Sequence, residues 1–228
     1  MDSKKVITQL MPELTRLTAK YLELEQEKLK QISWHDGESN TDTEFSNFAK
    51  ECCIKAYQEI DCDFELAVKT PDLLLSFTHN GEVVIDKIEL KSTKSKGRTT
   101  LGSMIMSLDP NQWTIFCCRG DEKNEIRYGR YHLGMKFSSH EKFQDRSPRP
   151  QLHFDQFQGT DEEPRVHKVP IDAGFWRKYA KTAINRIVDP KSYSWQDDLI
   201  TEVVREVLRQ PDKFKKLLDD DNSNTYSE

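Results

Sequence analysis

The sequence predicts an α/β protein in which a mixed central β-sheet is flanked by helices, with extra helices at the N- and C-terminal ends. Three observations lead to this fold class. Residues 3–32 and 42–60 have helical periodicity, residues 70–92 read as two apolar strands joined by a turn, and residues 112–118 form an apolar run of strand length. The 228 residues suit one domain with a sizeable core.

The N-terminal segment, residues 3–32, has apolar side chains at three- and four-residue steps and is predicted to be a packing or dimerisation helix. Pro12 is expected to kink or restart this helix, because proline has no backbone N–H to donate. A second helix follows a polar loop, and Thr41 or Asp42 is predicted to cap it. Its apolar stripe consists of Phe45, Phe48, Ala49, Cys52, Cys53, Ala56 and Ile60.

A β-hairpin is predicted over residues 70–92, after a short strand at residues 64–69. Its strands flank Asn80-Gly81, which is typical of a type I′ turn because both residues tolerate positive φ. With Asn80 and Gly81 as the loop residues, the antiparallel register places Asp72 directly opposite Glu89.

This register brings charged side chains together on one face of the hairpin. Directly opposed side chains lie about 4.5–5.5 Å apart, where two carboxylates destabilise a sheet. Lys91 follows Glu89 by two residues and therefore lies on the same face. A divalent cation such as Mg²⁺, which binds carboxylates, waters and phosphate oxygens, would relieve the repulsion. The other face is predicted to be core apart from Asp86, and carries Leu73, Leu75, Phe77, Val84, Ile88 and Leu90.

The pattern Pro71-Asp72, sixteen residues, then Glu89-Leu90-Lys91 resembles the signature of the PD-(D/E)XK nucleases. The resemblance covers about residues 42–118 and implies a restriction-endonuclease-like core. The alternative is an ordinary edge hairpin with a surface Glu-Lys ion pair, and the opposed carboxylates argue against it.

The resemblance implies metal-dependent hydrolysis of DNA phosphodiester bonds. Asp72 and Glu89 would bind one or two Mg²⁺ ions, for which Mn²⁺ is expected to substitute, with the Leu90 backbone carbonyl as a further ligand. Lys91 would orient or help to deprotonate the attacking water. A glutamate of the preceding helix often supports such a site in this family, and Glu44 is the first candidate and Glu51 the second; a solvated helix flank is the alternative for either.

The loop after Lys91 is rich in basic and hydroxyl side chains and is predicted to contact DNA phosphates through Lys94, Lys96, Arg98 and Thr99. A solvated surface loop is the alternative. Residues 99–108 are expected to begin a helix, whose N-terminus would also favour anions. The run at residues 112–118 is predicted to be a central strand beside the Glu89 strand.

In the second half of the chain, the pattern of apolar residues predicts strands at residues 125–133 and 151–157, and helices at residues 172–188 and 194–209. One nuclease domain is predicted over residues 1–210. Within it, the N-terminal helical element spans residues 3–32, the catalytic core about 42–118, and the C-terminal strands and helices 125–210. Residues 211–228 are acidic and predicted to be disordered.

Composition adds further expectations. The five cysteines show no C-x-x-C spacing, and free thiols in a reducing cytoplasm are expected. The N-terminus lacks the apolar segment of a signal peptide, and no run is long enough to span a membrane. A net charge of −5 argues weakly against nucleic acid, although binding depends on where basic residues cluster.

Within the family resembled, the predicted function is that of a type II restriction endonuclease. It would act as a homodimer on a short site in double-stranded DNA, with a cognate DNA methyltransferase in the same system. One alternative is a structure-specific repair, recombination or phage nuclease of the same fold, and another is a non-catalytic nucleic-acid-binding module. A histidine-based nuclease is disfavoured because the six histidines show no metal-ligand spacing.

Overall fold

The computed structural model describes residues 2–32, 43–94, 96–103, 109–136, 150–171, 175, 195–212 and 215. The chain forms two compact units, the first made of residues 1–137 and 149–172 and the second of residues 138–148 and 173–228. The segment predicted to be the catalytic core, residues 42–118, lies entirely within the first unit.

Two helices open the first unit, α1 (Ser3–Leu24) and α2 (Gln26–Gln31). The expected restart at Pro12 is wrong, because α1 continues through Pro12 and the break falls at Glu25. Apolar side chains on both sides of Pro12 are buried in the same core, and this packing outweighs the loss of one backbone hydrogen bond. They include Ile7, Met11, Leu14 and Leu22.

The second predicted helix is α3 (Thr43–Gln58), and it packs against α1. Its predicted apolar stripe is buried from Phe45 to Ala56, whereas Ile60 lies just beyond the helix and is half-buried. The predicted cap residues at positions 41 and 42 lie outside the described residues.

The main sheet is mixed, as predicted. Its first three strands pair antiparallel, the third and fourth pair parallel, and the last three pair antiparallel again. In spatial order the strands are β1 (Glu65–Lys69), β2 (Leu73–His79), β3 (Glu82–Thr93), β5 (Trp113–Cys118), β6 (Glu125–Arg130) and β9 (Gln158–Gly159).

The hairpin between β2 and β3 has the predicted turn and register. Asn80 and Gly81 are the two loop residues and have φ angles of 50° and 81°, so both take the left-handed conformation of a type I′ turn. His79 pairs with Glu82 at the turn, and the ladder continues to the pair formed by residues 73 and 88.

Strand β5 is buried along its whole length and lies between β3 and β6, which confirms the predicted central strand. Its parallel register with β3 pairs Glu89 with Thr114 and Lys91 with Phe116.

A second, three-stranded sheet corrects the predicted helix at residues 99–108. Residues 99–101 form β4 (Thr99–Leu101), and residues 104–108 lie outside the described residues. Hydrogen bonding to a partner strand, β8 (Gln151–His153), overrides the local helix signal. The third strand of this sheet is β7 (Met135–Lys136).

The strands predicted at residues 125–133 and 151–157 are both shorter than expected. β6 ends at Arg130 and is followed by a one-turn helix, α4 (Tyr131–Gly134). β8 ends at His153 and is followed by a 3₁₀ turn.

Two hydrophobic cores lie on opposite faces of the main sheet in the first unit. The larger contains Ile88, Leu90 and Ile115 together with side chains of α1 and α3. The smaller contains Phe116 and Cys118, which alternate with those of the larger core along β5, and packs them against β8 and the turn that follows it.

The described part of the second unit is mainly one helix, α5 (Trp195–Arg209), which confirms the helix predicted at residues 194–209. The helix predicted at residues 172–188 and the acidic tail fall almost wholly outside the described residues. None of the helices that the structure describes is both long enough and apolar enough to cross a membrane.

Candidate functional site

The candidate site lies at the end of the hairpin opposite the turn. Asp72 immediately precedes β2 and has a φ of 57°, a left-handed conformation that aspartate tolerates better than most residues. Its Oδ1 accepts a hydrogen bond of 2.9 Å from the backbone N–H of Leu90. The last ladder pair is Leu73 with Ile88, so Asp72 is next in register to Glu89, as predicted.

Glu89 is the buried centre of this site, only 5% exposed. Oε1 lies 2.6 Å from the ammonium nitrogen of Lys91 and accepts a hydrogen bond of 3.1 Å from the hydroxyl of Ser103. Oε2 lies 2.7 Å from the ammonium nitrogen of Lys87 and accepts 2.9 Å from the amide of Gln112. Both carboxylate oxygens therefore have a charged and a neutral donor.

Lys87 connects the two carboxylates. Its ammonium nitrogen lies 3.0 Å from Oδ2 of Asp72 and 2.7 Å from Oε2 of Glu89, within hydrogen-bond distance of both. With Lys91 on the other oxygen of Glu89, two ammonium groups face two carboxylates. The repulsion expected between Asp72 and Glu89 is thus relieved by side chains of the protein itself.

The pKa values of the central groups follow from this arrangement. Burial alone would raise the pKa of Glu89, but the ammonium groups of Lys91 and Lys87 outweigh it and lower that pKa to about 2. Burial would lower the pKa of Lys87, and the neighbouring Glu89 and Asp72 outweigh it, so its pKa is raised. Glu89 is therefore ionised and Lys87 protonated at neutral pH.

The donor chemistry of the site fits a hard divalent cation. The ammonium nitrogen of Lys87 lies within 3.0 Å of Asp72 Oδ2 and of Glu89 Oε2, so these two carboxylate oxygens point to a common position. Mg²⁺ binds one or two carboxylates and completes its shell with carbonyl, water and phosphate oxygens. The Leu90 carbonyl as a further ligand stays a prediction.

The two helix glutamates are placed differently. Glu44 is exposed in the first turn of α3, and Glu51 lies 3.8 Å from the ammonium of Lys28 on α2. Within the described part of the chain, no group of three or more His, Cys, Asp or Glu side chains is arranged to hold a metal ion. A supporting role for Glu44 or Glu51 stays a prediction.

The predicted phosphate-binding residues are also in different environments. Lys94 and Lys96 are exposed after β3. The guanidinium of Arg98 donates to both carboxylate oxygens of Glu125, at 2.6 and 2.9 Å, and also pairs with Asp155. Lys94 and Lys96 are thus better exposed to solvent than the half-buried Arg98.

Thr99 opens β4, where its hydroxyl accepts a hydrogen bond of 3.2 Å from Gln151 and its carbonyl accepts one of 2.8 Å from Thr93. It lies in the same basic segment as Arg98 and helps to join β3 to the second sheet.

Sequence reasoning overlooked three residues of this site. Lys87 was detectable, because it lies two residues before Glu89 and the strand period of two places it on the same face. Gln112 directly precedes β5 and reaches Glu89 through the parallel pairing of β3 and β5. Ser103 follows β4 and depends on the second sheet, for which the sequence carries no clear signal.

No protein-family model matches the chain, and neither a curated protein nor a solved structure matches it.

Proposed function

We propose that this protein is a Mg²⁺-dependent endodeoxyribonuclease, of the type II restriction class, that cuts a short specific site in double-stranded DNA. The observation that carries the proposal is the convergence of Asp72, Glu89 and Lys91 at one end of the hairpin. These are the residues through which the sequence resembles the PD-(D/E)XK nucleases. A homodimer and a cognate DNA methyltransferase belong to the same proposal.

Asp72 and Glu89 would hold the metal ion, with the Leu90 carbonyl as an additional ligand. When bound, Mg²⁺ lowers the pKa of a coordinated water and stabilises negative charge on the scissile phosphate. Mn²⁺ is expected to support the same chemistry. Ser103 and Gln112 orient the Glu89 carboxylate through their hydrogen bonds.

Lys91 would act on the attacking water or on the phosphate. Its ammonium is anchored by Glu89 Oε1 at 2.6 Å while the side chain remains 20% exposed. It can therefore donate hydrogen bonds towards bound DNA and offset the charge that develops in the pentavalent transition state. The exposed Lys94 and Lys96 lie just beyond this strand and are proposed to contact neighbouring phosphates.

The test is digestion of a long, unmethylated DNA of known sequence with purified protein, in Mg²⁺ or in EDTA, followed by sequencing of the fragment ends. We expect discrete Mg²⁺-dependent fragments whose ends share one motif. Complete absence of Mg²⁺-dependent cutting, on this substrate and on branched DNA, would contradict the proposal.

The decisive variant is Asp72→Asn. Asparagine keeps an acceptor for the Leu90 N–H and tolerates the left-handed φ, but removes the negative charge. We expect normal folding and a loss of cleavage of roughly 100-fold or more. Asp63→Asn is the matched control, because Asp63 is an exposed aspartate before β1. This variant should cut DNA as the wild type does. Full cleavage by Asp72→Asn would overturn the assignment.

One observation favours a second candidate, a non-catalytic nucleic-acid-binding module. Lys87 and Lys91 balance the charge of Asp72 and Glu89 with groups of the chain itself. Binding of DNA without cutting, unaffected by EDTA, would favour this module. Cutting confined to branched or damaged DNA would instead indicate a structure-specific repair, recombination or phage nuclease.

A further inference from the structure

The position of Lys87 bears on how a metal ion reaches the candidate site. Its ammonium lies 3.0 Å from Asp72 Oδ2 and 2.7 Å from Glu89 Oε2, and so occupies the point on which both carboxylates converge. A cation held by the same two oxygens must occupy the same space. Lys87 and a bridging divalent ion therefore exclude each other.

The two lysines of the site differ in their freedom to move. The side chain of Lys87 is 42% exposed, whereas that of Lys91 is 20% exposed. Lysine combines a compact charge with a flexible four-carbon stem, so a partly exposed ammonium can turn into solvent and remain hydrated. Lys87 can therefore leave the carboxylates, while Lys91 can remain on the other oxygen of Glu89.

We propose that Lys87 is a built-in competitor of the metal ion, which neutralises Asp72 and Glu89 until a divalent cation displaces its ammonium. This inference rests on the proposed function, because it takes these carboxylates to be the metal ligands. It adds a residue that sets the affinity of the site for Mg²⁺ and Mn²⁺. Lys87 would then lower metal occupancy when the concentration of divalent ions is low.

The experiment measures binding of Mn²⁺ by electron paramagnetic resonance and of Mg²⁺ by calorimetry, with no DNA present. Lys87→Met keeps the length and apolar stem of the side chain but removes its charge. We expect the dissociation constant of Lys87→Met to be about tenfold lower than that of the wild type, since a competing charge-assisted hydrogen bond is lost. Mg²⁺ should also raise the thermal unfolding temperature of Lys87→Met more than that of the wild type.

Three further variants separate competition from other effects. Lys69→Met removes one positive charge from an exposed position on β1, on the same face of the sheet as Lys87, and should leave the dissociation constant unchanged within about twofold. Lys87→Arg keeps a cation between the carboxylates and should bind metal no more tightly than the wild type. Lys87→Gln is a second neutral variant, for use if Lys87→Met does not fold.

The outcomes distinguish failure of this inference from failure of the proposed function. Suppose that Mn²⁺ binds the wild type, that Asp72→Asn abolishes this binding, and that neither neutral Lys87 variant binds Mn²⁺ more tightly. Lys87 is then not a competitor of the metal ion, but the proposed metal site is retained. An equal gain in Lys69→Met would also overturn the inference, because a general charge effect would explain it. Failure of the wild type and both neutral Lys87 variants to bind either ion would overturn both proposals.

Discussion

The two faces of β3 place neighbouring residues in opposite environments. Ile88 and Leu90 are buried in the apolar core beneath α1 and α3. Lys87, Glu89 and Lys91 point to the other face, where they form a cluster of ion pairs. One strand therefore supplies both the core and the candidate site, because successive side chains of a strand alternate between faces.

The contrast shows that the two faces stabilise the protein by different means. The helix-covered face, which carries Ile88 and Leu90, depends on apolar burial and close packing. A smaller side chain in such a packed core leaves a cavity and destabilises the protein. On β3 the site face carries charges that compensate each other, next to the smaller apolar core that Phe116 and Cys118 form on the same side of the sheet. The contribution of these charges changes with pH and with the partners present. Three measurements test this difference between the two faces.

The largest effect is expected for Ile88→Ala on the helix-covered face. Ile88 is completely buried, and the substitution should lower the free energy of unfolding by about 2–5 kcal/mol through lost burial and a residual cavity. Ile85→Ala is the matched control, because Ile85 lies on the other face of the same strand and is 63% exposed. This substitution should lower the free energy of unfolding by about 0.5 kcal/mol or less. Urea unfolding of both variants checks this, and equal losses would contradict the assigned division between the faces.

A somewhat smaller effect is expected from titration of Glu89 on the site face. Its pKa is lowered from an ordinary 4.5 to about 2, so its stabilising contribution is present above pH 4.5 and is lost as the pH falls towards 2. The lost contribution should be on the order of 3 kcal/mol.

Glu89→Gln provides the comparison, because glutamine does not titrate. The difference in unfolding free energy between wild type and Glu89→Gln, measured by urea unfolding from about pH 7 downwards, should decrease across that window. Parallel pH profiles of the two proteins would show that the ion pairs do not stabilise the fold.

The smallest effect is expected at Thr93, where the site face of β3 meets the second sheet. The hydroxyl of Thr93 donates a hydrogen bond of 2.8 Å to the carbonyl of Thr99. Thr93→Val keeps the shape of the side chain but removes this hydrogen bond, and should lower the free energy of unfolding by about 1 kcal/mol. Thr78→Val, on the half-buried turn-proximal part of β2, serves as the control in the same unfolding assay. If Thr93→Val lowered the free energy of unfolding as much as Ile88→Ala does, hydrogen bonding would dominate the stability of this face.

The sequence predicted the hairpin and its register because both depend on local chemistry. Asn80-Gly81 adopts the left-handed turn, and that turn determines which residues of β2 and β3 pair. The convergence of Asp72 and Glu89 follows from the same register. The roles assigned to these residues in catalysis remain predictions.

The sequence did not predict the features that depend on distant partners. Residues 99–101 have a helix-compatible local pattern, but hydrogen bonding to β8, about fifty residues away in the chain, makes them a strand. Pro12 signals a helix break, but burial on both sides keeps α1 continuous. In both places long-range contacts outweigh local preference.

Local sequence patterns were enough to predict the α/β class, the mixed sheet around residues 70–118, and the positions of Asp72, Glu89 and Lys91 on one face. The way in which their charges are balanced depends on contacts between distant parts of the folded chain. Lys87 bridges the two carboxylates, and Ser103 and Gln112 reach Glu89 from other parts of the chain. Side-chain period and turn geometry depend on neighbouring residues, whereas the partners of a buried charge come from every segment that folding brings within hydrogen-bond distance.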